Sequence, residues 1–239
     1  MNKKEKIYFI PGLMTDYRLW SRVVPLIENR YEIVYLKIPR STDFDYINEV
    51  LEKEIKDEKA NLLGFSLGGY VASYFTIKNP NRVKKLFMLS ATPAKTPIEE
   101  IERRKEKLEF AKQSPMIFLD YDKAKSLVEE QNQGDEELIK TIMNMFNEMG
   151  KDEFISQLES TFYRKDLSNE LKELKLPITM FYSSDDRLLD SVAIRKLEIE
   201  SINKEHNINL IKRVGTSHNI ALEFPEDLAK YIKEWMDNN

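Results

Sequence analysis

The chain has no cysteine. That excludes a disulfide framework, a thiolate nucleophile and any cysteine metal site, and it is compatible with a cytoplasmic location. Histidine is nearly as scarce, with two copies, His206 and His218, among 239 residues. A side chain that titrates near neutrality can therefore come from only two places. No apolar run is long enough to cross a bilayer, and the first one, Ile7 to Ile10, closes at Pro11. It is too short for a signal-peptide core, so no membrane association is expected. Net charge is −4 with both signs dispersed. There is no clustered basic stripe of the kind a nucleic-acid surface needs. Glycine occurs seven times. Five of these, Gly12, Gly64, Gly68, Gly69 and Gly215, stand where a site at strand ends would use them.

What is present reads as one globular α/β chain. Hydrophobic residues make up 41% and charged residues 33%, an ordinary balance for a buried core with a solvated surface. Strands are expected at 7–10, 32–36, 60–65, 83–90, 176–182 and 207–214, from short apolar runs bounded by turn residues. Helical spacing separates them. Leu19, Trp20, Val23, Val24 and Ile27 form one such stretch, with Pro25 bending or restarting it. Asp43 can cap the next helix, and Pro225 is placed to start the last one. Strand alternating with helix implies a parallel sheet with right-handed crossovers. From 91 to about 165 the strands stop and only helical pattern remains, without a flexible linker or an internal repeat. This block reads as a helical insertion in a single domain covering 1–239. Its charged stretch from Ile98 to Gln113 reads as a solvated helix face. Its Met and Phe residues read first as helix–helix core.

The stretch that organises the chain is Asn61-Leu62-Leu63-Gly64-Phe65-Ser66-Leu67-Gly68-Gly69. It places G-x-S-x-G between a strand and a helix, the setting of a nucleophile elbow. So tight a turn needs residues almost without side chains beside Ser66, and it leaves the serine oxygen exposed at the strand tip. A serine hydroxyl becomes a nucleophile only when a base takes its proton. His218 follows the last strand on a glycine-containing loop, on the same rim as Ser66; His206, in a polar stretch before that strand, reads as an exposed loop residue. A carboxylate must then orient the imidazole. Asp185 and Asp186 both follow the preceding strand on that rim, and sequence physics does not separate them. An acyl-transfer site also needs backbone donors for an oxyanion. Leu67 follows the nucleophile, and Leu13 stands on the loop after the first strand, where Gly12 lets the backbone turn inward.

These segments, with Ser90 to Pro93, Pro177 to Leu189 and Glu223 to Glu226, resemble the α/β-hydrolase family over nearly the whole chain. The order Ser66, acid, His218 is the order that family uses. The resemblance favours Asp186 over Asp185, because the family's acid stands three residues after a small residue, here Ser183. It implies a mostly parallel sheet of about six strands flanked by helices, with a helical cap inserted at about 91–165. It also implies a structural role for Arg164 at the junction of cap and core. Two positions depart from the family pattern: Pro11 stands where many members have histidine, and Ser217 where glycine usually precedes the base.

The expectation is a serine hydrolase acting on a small or medium carboxylic ester, thioester or amide. Ser66 would be the nucleophile, His218 the base and then acid, Asp186 the orienting acid, and Leu13 and Leu67 the oxyanion donors. The partner would be a small-molecule acyl substrate; no cofactor and no metal is implied. Two rivals stand beside it. Relatives include C–C bond lyases and hydrolases, and others bind ligands or signal with little turnover.

Overall fold

The computed structural model describes residues 4–203, 206 and 208–237. Among these, six strands form one sheet: β1 (Glu5–Ile10), β2 (Tyr31–Tyr35), β3 (Ala60–Phe65), β4 (Val83–Leu89), β5 (Ile178–Ser183) and β6 (Ile208–Arg213). Their order is β2-β1-β3-β4-β5-β6, and every neighbouring pair is parallel. All six strands expected from the sequence are present, with bounds shifted by a residue or two; Asn207, expected to open the last, lies outside the described residues. The sheet class and strand number are therefore as anticipated.

The alternation of side chains along each strand builds two cores. Tyr8, Ile10, Leu62, Leu86, Met88 and Met180 face one side. Ile7, Phe9, Leu63, Phe65, Phe87, Leu89 and Phe181 face the other. The helices are α1 (Val24–Ile27), α2 (Phe44–Glu54), α3 (Leu67–Lys78), α4 (Ile98–Gln113), α5 (Tyr121–Lys125), α6 (Glu136–Ser160), α7 (Ser168–Glu173), α8 (Ser191–Ile202), α9 (Ile220–Glu223) and α10 (Pro225–Asp237). Buried residues of α2, α3, α7 and α8 belong to the first core; those of α1, α5, α6, α9 and α10 belong to the second. The change of face follows from handedness. The chain crosses from β1 to β2 in one direction and from β2 back to β3 in the other, so right-handed crossovers put α1 and α2 on opposite faces. Pro25 restarts the chain as α1 after a 3-10 turn at Tyr17–Trp20, and the Asp43 carboxylate caps α2 by accepting from Asp45 N at 2.8 Å.

The strand order reverses at β1. Loops leaving the C-terminal ends of β1 and β3 diverge there and open a crevice, the usual place for a site in such sheets. Between β4 and α7 the chain forms α4, α5 and α6, with α6 broken at Gly150. The two ends of this helical segment are tied together at the sheet rim. Arg164 donates from Nη2 to Thr92 O at 2.6 Å and Ala94 O at 2.8 Å, and its guanidinium lies 4.3 Å above the Tyr70 ring. Leu167 N reaches Pro93 O at 2.9 Å, and Lys165 N reaches Tyr70 Oη at 2.8 Å. Burial pushes the Arg164 guanidinium down to about 10, so it remains charged at neutral pH. Its contacts are those of a fastener between the two chain ends.

Candidate active site

β3 delivers Ser66 into a sharp turn. Its φ of 52° and ψ of −117° lie outside the regions an L-residue favours, a strain that persists only where the surroundings impose it. They do so through close approach of the backbone. A Cβ on Gly64 would lie 2.6 Å from Gly69 Cα, and one on Gly68 would lie 2.8 Å from the Ile10 carbonyl carbon and closer still to two carbonyl oxygens. Ser66 N donates to Leu89 O at 2.9 Å, which anchors the turn to β4. The residue itself is half-buried at the tip.

His218 follows β6 on the same rim. Its Nε2 stands 3.0 Å from Ser66 Oγ, and its Nδ1 stands 2.7 Å from Asp186 Oδ2. With Asp186 ionised, Nδ1 carries the proton, and Nε2 is left to accept from the serine hydroxyl. The other carboxylate oxygen of Asp186 accepts from Leu188 N at 2.9 Å, and the Asp186 side chain is 1% exposed. The His218 ring packs on Phe65, centroids 5.0 Å apart. The two aspartates are thus separated by their directions. Asp186 turns inward to the imidazole, while exposed Asp185 accepts from Ser184 Oγ at 2.6 Å. His206 is absent from this cluster. It is half-buried rather than exposed, because its ring nitrogens meet Leu197 O at 3.1 Å and Ile208 N at 3.2 Å.

The loop after β1 leaves the N–H of Leu13 unused. Pro11 has no N–H. Gly12 N donates to Thr15 Oγ1 at 2.7 Å, Met14 N to Gln157 Oε1 at 2.7 Å, and Thr15 N to Gly12 O at 3.3 Å. Among the described residues no acceptor engages Leu13 N, nor Leu67 N at the start of α3. An uncommitted N–H beside a serine at a helix N-terminus suits a developing negative charge.

Two side chains that the sequence reading did not single out reach this rim from the helical segment. Gln157 of α6, buried, holds Met14, whose φ of 54° is itself unusual for a non-glycine residue. Its Nε2 donates to Glu153 at 2.7 Å, and Glu153 pairs with Arg40 at 2.7 Å. Glu129, also buried, accepts from Arg213 Nη1 at 2.6 Å, Thr216 N at 2.6 Å and Ser217 N at 2.8 Å. Burial pushes its carboxyl up, but Arg213 and the two backbone donors outweigh this and hold it below the usual carboxylate range. No local pattern marks either residue, since their partners lie 143, 87 and 88 positions away.

No helix among the described residues is long and apolar enough to cross a membrane. The pimeloyl-[acyl-carrier protein] methyl ester esterase of Wigglesworthia glossinidia brevipalpis is 24% identical over 245 residues, covering 95% of this chain and 92% of that one. Among solved structures, a thermophilic esterase from Thermogutta terrifontis superposes with a TM-score of 0.82 at 18% identity, covering 98% of this chain and 90% of that one. The enol-lactonase from Burkholderia xenovorans LB400 gives 0.81 at 15% identity, covering 99% and 93%. These two likenesses speak to the fold. The model of the family described as alpha/beta hydrolase fold matches residues 7–225, a span that reaches all six strands and the Ser66–His218–Asp186 cluster, and the chain belongs to that family.

Proposed function

We propose that this protein is a carboxylic ester hydrolase that works through an acyl-enzyme on Ser66. The observation that carries the reading is the continuous relay from Ser66 Oγ to His218 Nε2 at 3.0 Å and from Nδ1 to Asp186 at 2.7 Å. His218 takes the hydroxyl proton as Oγ attacks the carbonyl carbon. Asp186 keeps the imidazole in the tautomer that can accept it and stabilises the imidazolium. The N–H groups of Leu13 and Leu67 receive the negative charge that develops on the carbonyl oxygen. As the tetrahedral intermediate collapses, the C–O bond to the alcohol breaks and His218 returns its proton to that oxygen. Water, deprotonated by the same imidazole, then attacks the acyl-enzyme; the C–O bond to Ser66 breaks, His218 returns the proton to Oγ, and the acid leaves.

The helical segment at 91–165 would act as the cap over this rim, and the substrate would be a small or medium ester. The Wigglesworthia relative is named for the methyl ester of a carrier-bound pimeloyl chain, so methyl esters of medium-length acids are the first to test. Labelling with a fluorophosphonate probe tests the nucleophile. Wild type should label strongly, and both Ser66→Ala and His218→Ala should lose the label. A folded wild type that neither labels nor cleaves any ester in a chain-length series would overturn the reading.

A further inference from the structure

We propose that Glu129 is a positioning residue for His218, one that holds the base in register with Ser66 and Asp186 from the helical segment between β4 and β5. The kinetic part of this rests on the hydrolase reading above. The carboxylate does not touch the imidazole. It grips the two residues before it, Thr216 and Ser217, through consecutive backbone N–H groups at 2.6 and 2.8 Å.

Ser217 is held on every polar atom it has. Its N donates to Glu129, its Oγ donates to Glu223 Oε1 at 2.5 Å, and its carbonyl oxygen accepts from Ser183 Oγ at 2.6 Å. Glu129 is held in turn: its own N donates to Glu223 Oε2 at 2.8 Å, and Gln131 Nε2 donates to its Oε2 at 2.8 Å. Its charge is matched by Arg213, which lies at 3.5 Å over the Phe224 ring and also reaches Ser183 Oγ at 3.3 Å. A buried carboxylate is tolerated only when so paired. These bonds end at the residue that carries His218. The glycine usual before the base in the resembling family could not supply the Ser217 Oγ link, so this chain adds a contact at that point.

A strut that merely joins two layers would stabilise the fold without tuning the relay. A positioning residue does more, because a displacement of about 1 Å in a reacting group costs on the order of a hundredfold in rate. The test compares Glu129→Ala and Glu129→Gln with wild type and Ser66→Ala. It reads melting temperature, kcat and KM on a chromogenic ester, and the His218 Hε1 and Nδ1–H resonances. With two histidines in the chain, His206→Gln assigns the spectrum. Glu129→Ala should keep KM within about twofold, lose about tenfold to a hundredfold in kcat, and shift or broaden the His218 resonances. Glu129→Gln keeps an acceptor oxygen in the same place and should recover most of kcat.

A folded Glu129→Ala protein with wild-type kcat and unshifted His218 resonances would overturn the proposal. So would a loss of activity that matched its unfolded fraction alone. If Glu129→Ala does not fold, Glu129→Asp decides by the same readouts. It keeps the charge but withdraws the carboxylate by one methylene; reduced kcat with shifted resonances supports the proposal, and wild-type behaviour overturns it. Failure of the hydrolase reading looks different: wild type would neither turn over nor label. The His218 spectra of wild type and variants would still judge the positioning.

Discussion

Substituting Gly68 by alanine tests how the elbow is locked to the loop after β1. The added Cβ would lie 2.8 Å from the Ile10 carbonyl carbon and nearer still to the oxygens of Ile10 and Pro11. None of these is the far end of a flexible side chain. Ile10 is paired with Gly64 across the β1–β3 ladder, so its carbonyl cannot retreat without breaking the sheet beside Ser66. Relief has to come from moving α3 away. Overpacking of this kind costs about 3 kcal/mol, and for a domain of this size each kcal/mol shifts the melting temperature by roughly 2–4 °C. Gly68→Ala should therefore melt about 6–12 °C below wild type. It should also lose kcat in the folded fraction, because Pro11 leads directly to Leu13, the proposed oxyanion donor. Gly134→Ala is the control. Nothing lies within 4 Å of its added Cβ, and restricting the unfolded chain there should leave stability unchanged or raised by up to about 1 kcal/mol. Scanning calorimetry beside ester kinetics reads both. A Gly68→Ala protein that melts within the error of Gly134→Ala would refute the close approach of α3 to β1.

Asp186→Asn should preserve the fold while lowering kcat by about ten-thousand-fold. The amide oxygen can keep the Leu188 N–H, but the amide nitrogen then faces Nδ1 and drives the imidazole proton to Nε2; kcat and a melting curve measured together check this. Gln157→Leu leaves the buried Met14 N–H without its acceptor, a cost of about 2 kcal/mol. It should lower kcat through the neighbouring Leu13 donor while leaving KM nearly unchanged, as steady-state kinetics would read. Stability should also fall in acid. Glu129, Asp135, Asp166 and Glu198 are all held below their ordinary values in the folded chain. The unfolded chain then binds more protons, so their stabilisation is complete above unfolded values near pH 4 and is lost as pH falls through the lower folded values. Melting temperatures from pH 7 to pH 3 should decline across that window, and a flat profile would contradict the ion pairs and hydrogen bonds that hold these carboxylates.

The sheet and the relay were legible in the sequence because their signals are local. Each strand is a short apolar run closed by turn residues, and Ser66, His218 and the aspartate pair all follow strand ends. In a parallel sheet those ends share one rim, and the loop after β6 reaches back along it past β5 and β4 to meet Ser66, 152 positions away. The choice between Asp185 and Asp186 was not legible from sequence physics. It is made by the turn at 183–186, where Asp186 N meets Ser183 O at 3.4 Å and the second carboxylate points inward. His206 was misread because a polar neighbourhood suggests exposure, whereas its ring is bonded to the Leu197 carbonyl of α8. Glu129 and Gln157 were passed over for a different reason. A glutamate or glutamine in a helical stretch has an ordinary surface role by default, and only the tertiary fold shows where its acceptor points.

The same contrast bears on how the rim could be altered. Ser66, His218 and the loop after β1 stand on strand ends, yet two of these loops are pinned by side chains from the helical segment, Gln157 on the loop after β1 and Glu129 on the loop before His218. Replacing that segment to change substrate range would therefore change the rim as well as what lies over it. An exchange of α4 to α6 that drops both contacts should lower kcat even for substrates whose KM improves. The same exchange with a glutamate and a glutamine restored at 129 and 157 should recover turnover without altering KM. If turnover were indifferent to those two positions across such a pair, the rim would be self-supporting, and the helical segment would govern binding alone.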